Sequence, residues 1–229
     1  MIPLHDDNPT RHFPFVTVAI IVACVLTFVW QISLPEPEQK RVVYALGVIP
    51  AVLFQERLLP DSVAMVRVEL TLFTSMFLHG GWWHLAGNML YLWIFGNNVE
   101  DRLGVPLFIL FYVLCGIAAA FTQALPDSAS VVPMIGASGA ISGVLGAYLL
   151  LYPRARVLVA VPLGLIVTTW RLPALVVLGF WFVLQLANNV LVPQGQGGVA
   201  WGAHVGGFVA GMVLIVLLKG RYVRLFRTN

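Results

Sequence analysis

The sequence predicts an all-α membrane protein, a single bundle of six transmembrane helices spread over residues 1–229. Three observations carry this expectation. Of 229 residues, 59% are hydrophobic and only 10% charged, against roughly a quarter charged in an average soluble domain. The mean hydropathy over the whole length is +0.89. The apolar residues also gather in stretches close to the roughly 20 residues a helix needs to cross a bilayer core of about 30 Å.

The first stretch, Phe13 to Leu34, follows a short polar start at residues 1–12 and is long enough to span; no cleavable leader pattern is evident. Pro35 to about Arg67 is more polar and holds Glu36, Glu38, Glu56 and Asp61, as a long first outer loop would. Glu69 to Leu78 is apolar but too short to cross. The second span runs from Trp82 to Gly96, closed by Asn97, Asn98, Glu100, Asp101 and Arg102. Val105 to Leu125 is the third, and Val131 to Tyr152 the fourth, stopped by Pro153 and Arg154. Pro173 to Leu191 is the fifth. Val199 to Leu218 is the sixth, followed by a basic tail at 219–229. Between the fourth and fifth, Val157 to Val167 is apolar but interrupted by Pro162 and Gly164. Its length fits an interfacial or re-entrant piece better than a span.

Charge supports the same count. The formal charge is +3, and the basic residues form no long stripe, so nucleic acid is not an expected partner. With six spans and both termini cytoplasmic, the inner side holds Arg11, Arg102, Arg154, Arg156, Arg171 and the tail residues Lys219, Arg221, Arg224 and Arg227. The outer side holds Lys40, Arg41, Arg57 and Arg67, all in the first loop. A seventh span would put the basic tail outside, against the positive-inside rule. Cys24 and Cys115 lie inside apolar runs and read as packed or lipid-facing residues rather than a disulfide.

Polar side chains inside a bilayer are costly and invite a functional reading. The candidates are His84 and Asn88 in the second span, Ser138 and Ser142 in the fourth, and His204 in the sixth; no Asp or Glu lies deep in any span. Ser138 and His204 each lie fourteen residues before the inner end of their spans, about 21 Å at 1.5 Å per residue. They are therefore expected level, about 9 Å below the outer face of a 30 Å core. A histidine at the depth of a serine can take its proton and make it a nucleophile. An apolar setting keeps the imidazole neutral, as a base must be. His84 and Asn88, four residues apart, share one helix face and can both donate to a developing oxyanion. Gly136-Ala137-Ser138-Gly139 sets the serine between glycines, which permit a tight approach. Gly139, Gly143 and Ala147 recur every four residues in the fourth span, as do Gly207 and Gly211 in the sixth. Such small faces let helices pack closely in lipid.

Taken in order, His79-Gly80-Gly81-Trp82-Trp83-His84-Leu85-Ala86-Gly87-Asn88, Val99-Glu100-Asp101-Arg102-Leu103-Gly104, Gly136-Ala137-Ser138-Gly139 and Ala203-His204-Val205-Gly206-Gly207 resemble the rhomboid family of intramembrane serine proteases, in its bacterial six-helix form. The resemblance implies that Ser138 is the nucleophile and His204 the base. It implies an oxyanion site made by His84, Asn88 and the Ser138 amide, with no cofactor and no metal. The implied partners are transmembrane protein substrates within the lipid bilayer, cut in or near their helices and often after small residues. The implied location is the cell (inner) membrane, if the source is bacterial. The first outer loop would lie partly in the outer leaflet, and the fifth span, with Phe180, Trp181 and Phe182 facing lipid, would be a substrate gate. The Gln194-Gly195-Gln196-Gly197-Gly198 loop could gate water. The chain departs from the family where Ser142 stands four residues after the serine, a position often aromatic, and in lacking Trp-Arg between Pro35 and Trp82.

Three other readings stand beside this one. His79, His84 and His204 could in principle ligate zinc, although His-Glu-x-x-His is absent. A transporter would need internal duplication or paired broken helices, which the sequence lacks. A catalytically inactive relative acting as a membrane chaperone or adaptor would not need Ser138 and His204 together.

Overall fold

The computed structural model describes residues 1–164, 166–192, 198–220 and 225–226. It opens with strand β1 (Ile2–Asp6), then α1 (Phe15–Ser33), α2 (Glu36–Leu46) and the single turn α3 (Pro50–Leu53). Next come α4 (Val68–Thr74), which runs into a 3-10 turn at Ser75–Phe77, and α5 (Trp82–Tyr91). A π-helical turn (Leu92–Gly96) leads into α6 (Asn97–Leu103), followed by α7 (Val105–Ala124) and α8 (Ser138–Leu151). Strands β2 (Arg156–Leu163) and β3 (Ile166–Pro173) precede α9 (Ala174–Leu191) and α10 (Trp201–Leu218).

Helices α1, α7, α9 and α10 are long and apolar enough to cross a bilayer. They turn large apolar side chains outward, among them Leu26, Val183, Val213 and Leu217. This is the arrangement expected where hydrocarbon is the solvent, and the protein is a multi-pass integral membrane protein. From Trp82 to Leu103 the chain is one unbroken helical rod of 22 residues, about 33 Å long.

Helix α8 is the centre of the bundle. Every residue from Gly139 to Tyr148 is buried. Its small-residue face lets α10 come to backbone contact. A Cβ on Gly207 would run into the Gly139 carbonyl, one on Gly211 into the Gly143 carbonyl, and one on Gly146 into the Phe208 carbonyl. On the other side Gly143 seats Cys115 of α7. Cys24 and Cys115 are both free and buried.

Two expectations need correction. The fourth span does not begin at Val131: the helix is only the 14 residues Ser138–Leu151, because residues before it are tied down otherwise. Met134 bridges Val48, and Gly136, at φ +120°, donates its N–H to the Ser75 carbonyl at 2.9 Å. That backbone conformation cannot be helical. The chain is mostly helical rather than all-α, because the apolar piece from Val157, too short to span, contributes strands. That piece belongs to a β2–β3 hairpin with β1 as the third strand, all antiparallel in the order β1-β2-β3. Val157 and Val159 are buried, so alternate residues face the bundle while their neighbours face out, the period of a strand.

The sheet sits at the end of the bundle opposite Ser138. Buried Asp6 accepts a hydrogen bond from the Tyr148 hydroxyl at 2.5 Å and from Asn98 Nδ2 at 3.0 Å. Burial pushes its carboxyl upward from the ordinary value of 3.8, and the Tyr148 hydrogen bond partly offsets this. At the same end, buried Glu100 accepts from the N–H groups of Val16 (2.9 Å) and Thr17 (2.8 Å) and from the Thr17 hydroxyl (2.7 Å). Helix α1 has no capping side chain of its own, so a carboxylate from another helix satisfies its first-turn donors. Asp101 accepts from the N–H groups of Arg11 and His12. Arg102 donates to the Tyr152 hydroxyl and lies 5.5 Å from the centre of its ring. The Glu-Asp-Arg run thus staples the N-terminal segment to the bundle.

Candidate active site

Ser138 is the first residue of α8, and His204 lies in the first turn of α10. The glycine contacts that press these helices together put His204 Nε2 2.9 Å from Ser138 Oγ. The two side chains come from positions 66 residues apart, and both are half-buried. At the start of α8 the first-turn N–H groups have no side-chain cap. They leave a cluster of donors beside the serine hydroxyl.

His84 and Asn88 occupy one face of α5, the former in its first turn. The Gly80 N–H donates to His84 Nδ1 at 3.3 Å. In the neutral ring this leaves the proton on Nε2. That nitrogen points at the approach to α8: a Cβ on Gly136 would stand 2.7 Å from it and 3.8 Å from Asn88 Nδ2. Gly136 is therefore required twice, for its φ of +120° and for the room it gives the imidazole. Asn88 Nδ2 is buried and has no hydrogen-bond partner. Buried donors are nearly always satisfied; this one is an unpaired donor on a residue that lines the same cavity as Ser138. Ser138, His204, His84 and Asn88 all line a single cavity of about 950 Å³, walled in part by Trp82 and Trp181.

His79 stands behind this group. It is fully buried, its backbone is bracketed by the Gln31 amide (3.0 and 3.4 Å), and its ring lies 5.2 Å from that of His84. Its role is to anchor the loop before α5. Among the described residues no three His, Cys, Asp or Glu side chains are grouped so as to hold a metal. The Ser142 hydroxyl is turned back onto its own helix, donating to the Ser138 carbonyl at 2.6 Å.

The Rhomboid domain model matches residues 67–221. The chain belongs to the rhomboid family. Its relatives include the mitochondrial Rhomboid protein 1 of Saccharomyces cerevisiae, 32% identical over 155 residues, which covers 65% of this chain and 41% of that protein. RHOMBOID-like protein 5 of Arabidopsis thaliana is 32% identical over 158 residues, 66% of this chain and 45% of that one. Rhomboid protease GluP of Bacillus subtilis is 34% identical over 142 residues, 61% of this chain and 24% of that one. The chain thus spans less than half the length of each of these relatives.

One residue of the site in this rhomboid domain escaped the sequence reading, and a second was expected elsewhere. Gln185 of α9 is buried and its Oε1 lies 2.8 Å from His204 Nδ1. Trp181, one turn earlier, packs its ring 5.9 Å from the His204 ring at 33°. The expectation that Trp181 and Phe182 face lipid is corrected. Trp181 lies on the base, and Phe182 stacks on Phe208 at 4.5 Å, while Phe180 is exposed. The signal for Gln185 was present: it is an amide in the middle of an apolar span, the criterion that found Asn88. Of the loop Gln194–Gly198 expected to gate water, all but Gly198 lies outside the described residues, as does most of the basic tail.

Proposed function

We propose that this rhomboid domain is an intramembrane serine endopeptidase, with Ser138 as nucleophile, His204 as general base and acid, and His84, Asn88 and the Ser138 amide as oxyanion donors. The observation that carries the reading is the 2.9 Å approach of His204 Nε2 to Ser138 Oγ, in a cavity where a buried Asn88 amide waits unpaired. Serine with a base at hydrogen-bond distance and free donors nearby is what acyl transfer needs.

The bilayer arrangement follows from length. Six crossings are made by α1, the α5–α6 rod, α7, α8, α9 and α10, with both termini cytoplasmic, as the basic residues favour. Helix α8 covers about 21 Å of a core about 30 Å thick. Ser138 therefore opens below the extracytoplasmic face, at a depth that water in the cavity can reach. Substrate is a transmembrane segment that comes in sideways between α5 and α9, since Trp82 and Tyr91 on one and Trp181 on the other line the same cavity. It must unwind to offer a carbonyl, because helical carbonyls are already hydrogen-bonded.

In the reaction, Ser138 Oγ attacks the carbonyl carbon while His204 Nε2 takes its proton. The oxyanion of the tetrahedral intermediate accepts from His84 Nε2–H, Asn88 Nδ2–H and the Ser138 N–H. His204 returns the proton to the leaving amine, the acyl-serine forms, and water repeats the sequence to release the acid.

The test is labelling by a serine-reactive fluorophosphonate probe, with cleavage of a reporter transmembrane substrate in liposomes. Wild-type protein should label and cleave; Ser138→Ala and His204→Ala should do neither while remaining folded. A wild-type protein that stays unlabelled and uncleaving would favour the inactive chaperone or adaptor.

A further inference from the structure

We infer that Gln185 is a positioning residue that fixes the tautomer and ring plane of His204, so that the base is held by three helices rather than two. The inference rests on the protease reading above and deepens it.

The geometry begins on α9. Around Gln185 the helix is exposed: Val183, Leu184 and Leu186 all face outward, whereas Gln185 is 7% exposed. A long polar side chain buried from an otherwise lipid-facing stretch needs partners, and it has two. Its Nε2 donates to the Trp181 carbonyl at 3.3 Å, and its Oε1 lies 2.8 Å from His204 Nδ1. The first bond decides the second. If the amide were turned over, its oxygen would face the Trp181 carbonyl, acceptor against acceptor, so the oxygen is the atom that meets the imidazole.

That assignment propagates. An amide oxygen can only accept, so Nδ1 must carry the ring proton. A neutral imidazole with hydrogen on Nδ1 has its lone pair on Nε2, the nitrogen 2.9 Å from Ser138 Oγ. The ring can then only accept from the serine hydroxyl, which is the direction proton transfer requires. The opposite tautomer would place a donor against the hydroxyl and leave it without a base. Trp181 at 5.9 Å and Trp201 at 6.0 Å edge-on flank the ring that the Gln185 bond orients. A neutral amide does this without adding a charge to an apolar bundle, where an unpaired carboxylate would carry a heavy desolvation cost.

The test compares Gln185→Leu, Gln185→Met and Gln185→Glu with wild-type protein and Ser138→Ala. Leu and Met remove the acceptor, and Met keeps the length and flexibility that preserve packing. Both should lower kcat by roughly ten- to a hundredfold, the usual scale for partners that orient a reactive ligand, with KM within about twofold of wild type. Gln185→Glu keeps an acceptor oxygen at the same reach and should recover most of kcat. Wild-type kcat in the Leu or Met variant would overturn the inference, as would a Glu variant no better than Leu.

A second readout does not depend on turnover. Ring-15N histidine spectra, with His204 assigned by its loss in His204→Ala, should give the Nδ1–H tautomer in wild type and a change of tautomer in Gln185→Leu. An unchanged tautomer would also overturn it. If wild-type protein neither labels nor cleaves, the protease reading fails, while the spectra still decide whether Gln185 orients His204.

Discussion

The Cα of Gly207 packs against the Gly139 carbonyl, one turn of α10 beyond His204 and one residue of α8 beyond Ser138. This contact between two residues with no side chain sets the distance at which the imidazole meets the hydroxyl. It converts a packing property of small residues in lipid into a chemical one.

Gly207→Val should therefore separate α8 from α10 and lengthen the His204–Ser138 approach. Fluorophosphonate labelling should fall by at least about a hundredfold, since about 1 Å of misplacement is enough for that. Val209→Ala, on the exposed face of the same helix, should label at the wild-type rate.

Asn88→Ala removes a buried donor that has no partner in the resting protein. Because nothing in the free protein depends on it, stability should hold or rise slightly. The kcat should drop by roughly 10²–10³-fold, the range for a single oxyanion donor. Steady-state kinetics with a reporter substrate, together with thermal unfolding, separate the two effects.

His79 gives a pH dependence of stability. Burial, with His84 beside it, pushes its imidazole down to about 4 from the ordinary 6.5. A base with a lowered folded value binds a proton on unfolding, so the stability it contributes is full above about 6.5 and is lost as pH falls toward 4. The change is roughly 3 kcal/mol across that window at about 1.4 kcal/mol per unit. Thermal unfolding in detergent should show a falling midpoint from pH 6.5 to 4. The fall should be shallower in His79→Gln.

Glu100→Ala should leave three donors at the start of α1 unsatisfied. The expected loss is about 2–4 kcal/mol, since each buried orphan costs about 1–3 kcal/mol and water can reach part of the cavity left behind. The measured midpoint should fall accordingly. The labelling rate per folded molecule should stay near wild type, because the change lies at the end of the bundle away from Ser138.

Much of this was legible in the residues. Composition and apolar run length gave the long helices, because the bilayer imposes a length that sequence can be measured against. The equal spacing of Ser138 and His204 from the inner ends of their spans put them level. The four-residue recurrence of glycine pointed to the helices that touch. What was missed shares a physical cause: it depends on partners distant in sequence. Val157 to Val161 is apolar at every position, and a short apolar run is ambiguous until its pairing strands are known, here Ile166–Pro173 next to it and Ile2–Asp6 far from it in sequence. Ser138 begins a helix rather than sitting inside one because Gly136 is held by Ser75, a constraint from another loop. Gln185 carries the same signal as Asn88, an amide within an apolar span, but the partner that gives it meaning, His204, lies on another helix.

The sheet has a consequence for how the chain is made. Strand Ile2–Asp6 pairs with a strand that begins at Arg156, and Asp6 is held by Tyr148. A ribosome working at roughly 5–20 residues per second has emitted the first strand many seconds before its partner exists. Throughout that interval Ile2–Asp6 lacks the partner it has in the folded protein and is open to any other chain that offers a ladder. Biogenesis of this protein therefore has a waiting period built into it, which ends when the ribosome has passed the β2–β3 hairpin and the earlier strand is captured by the later one.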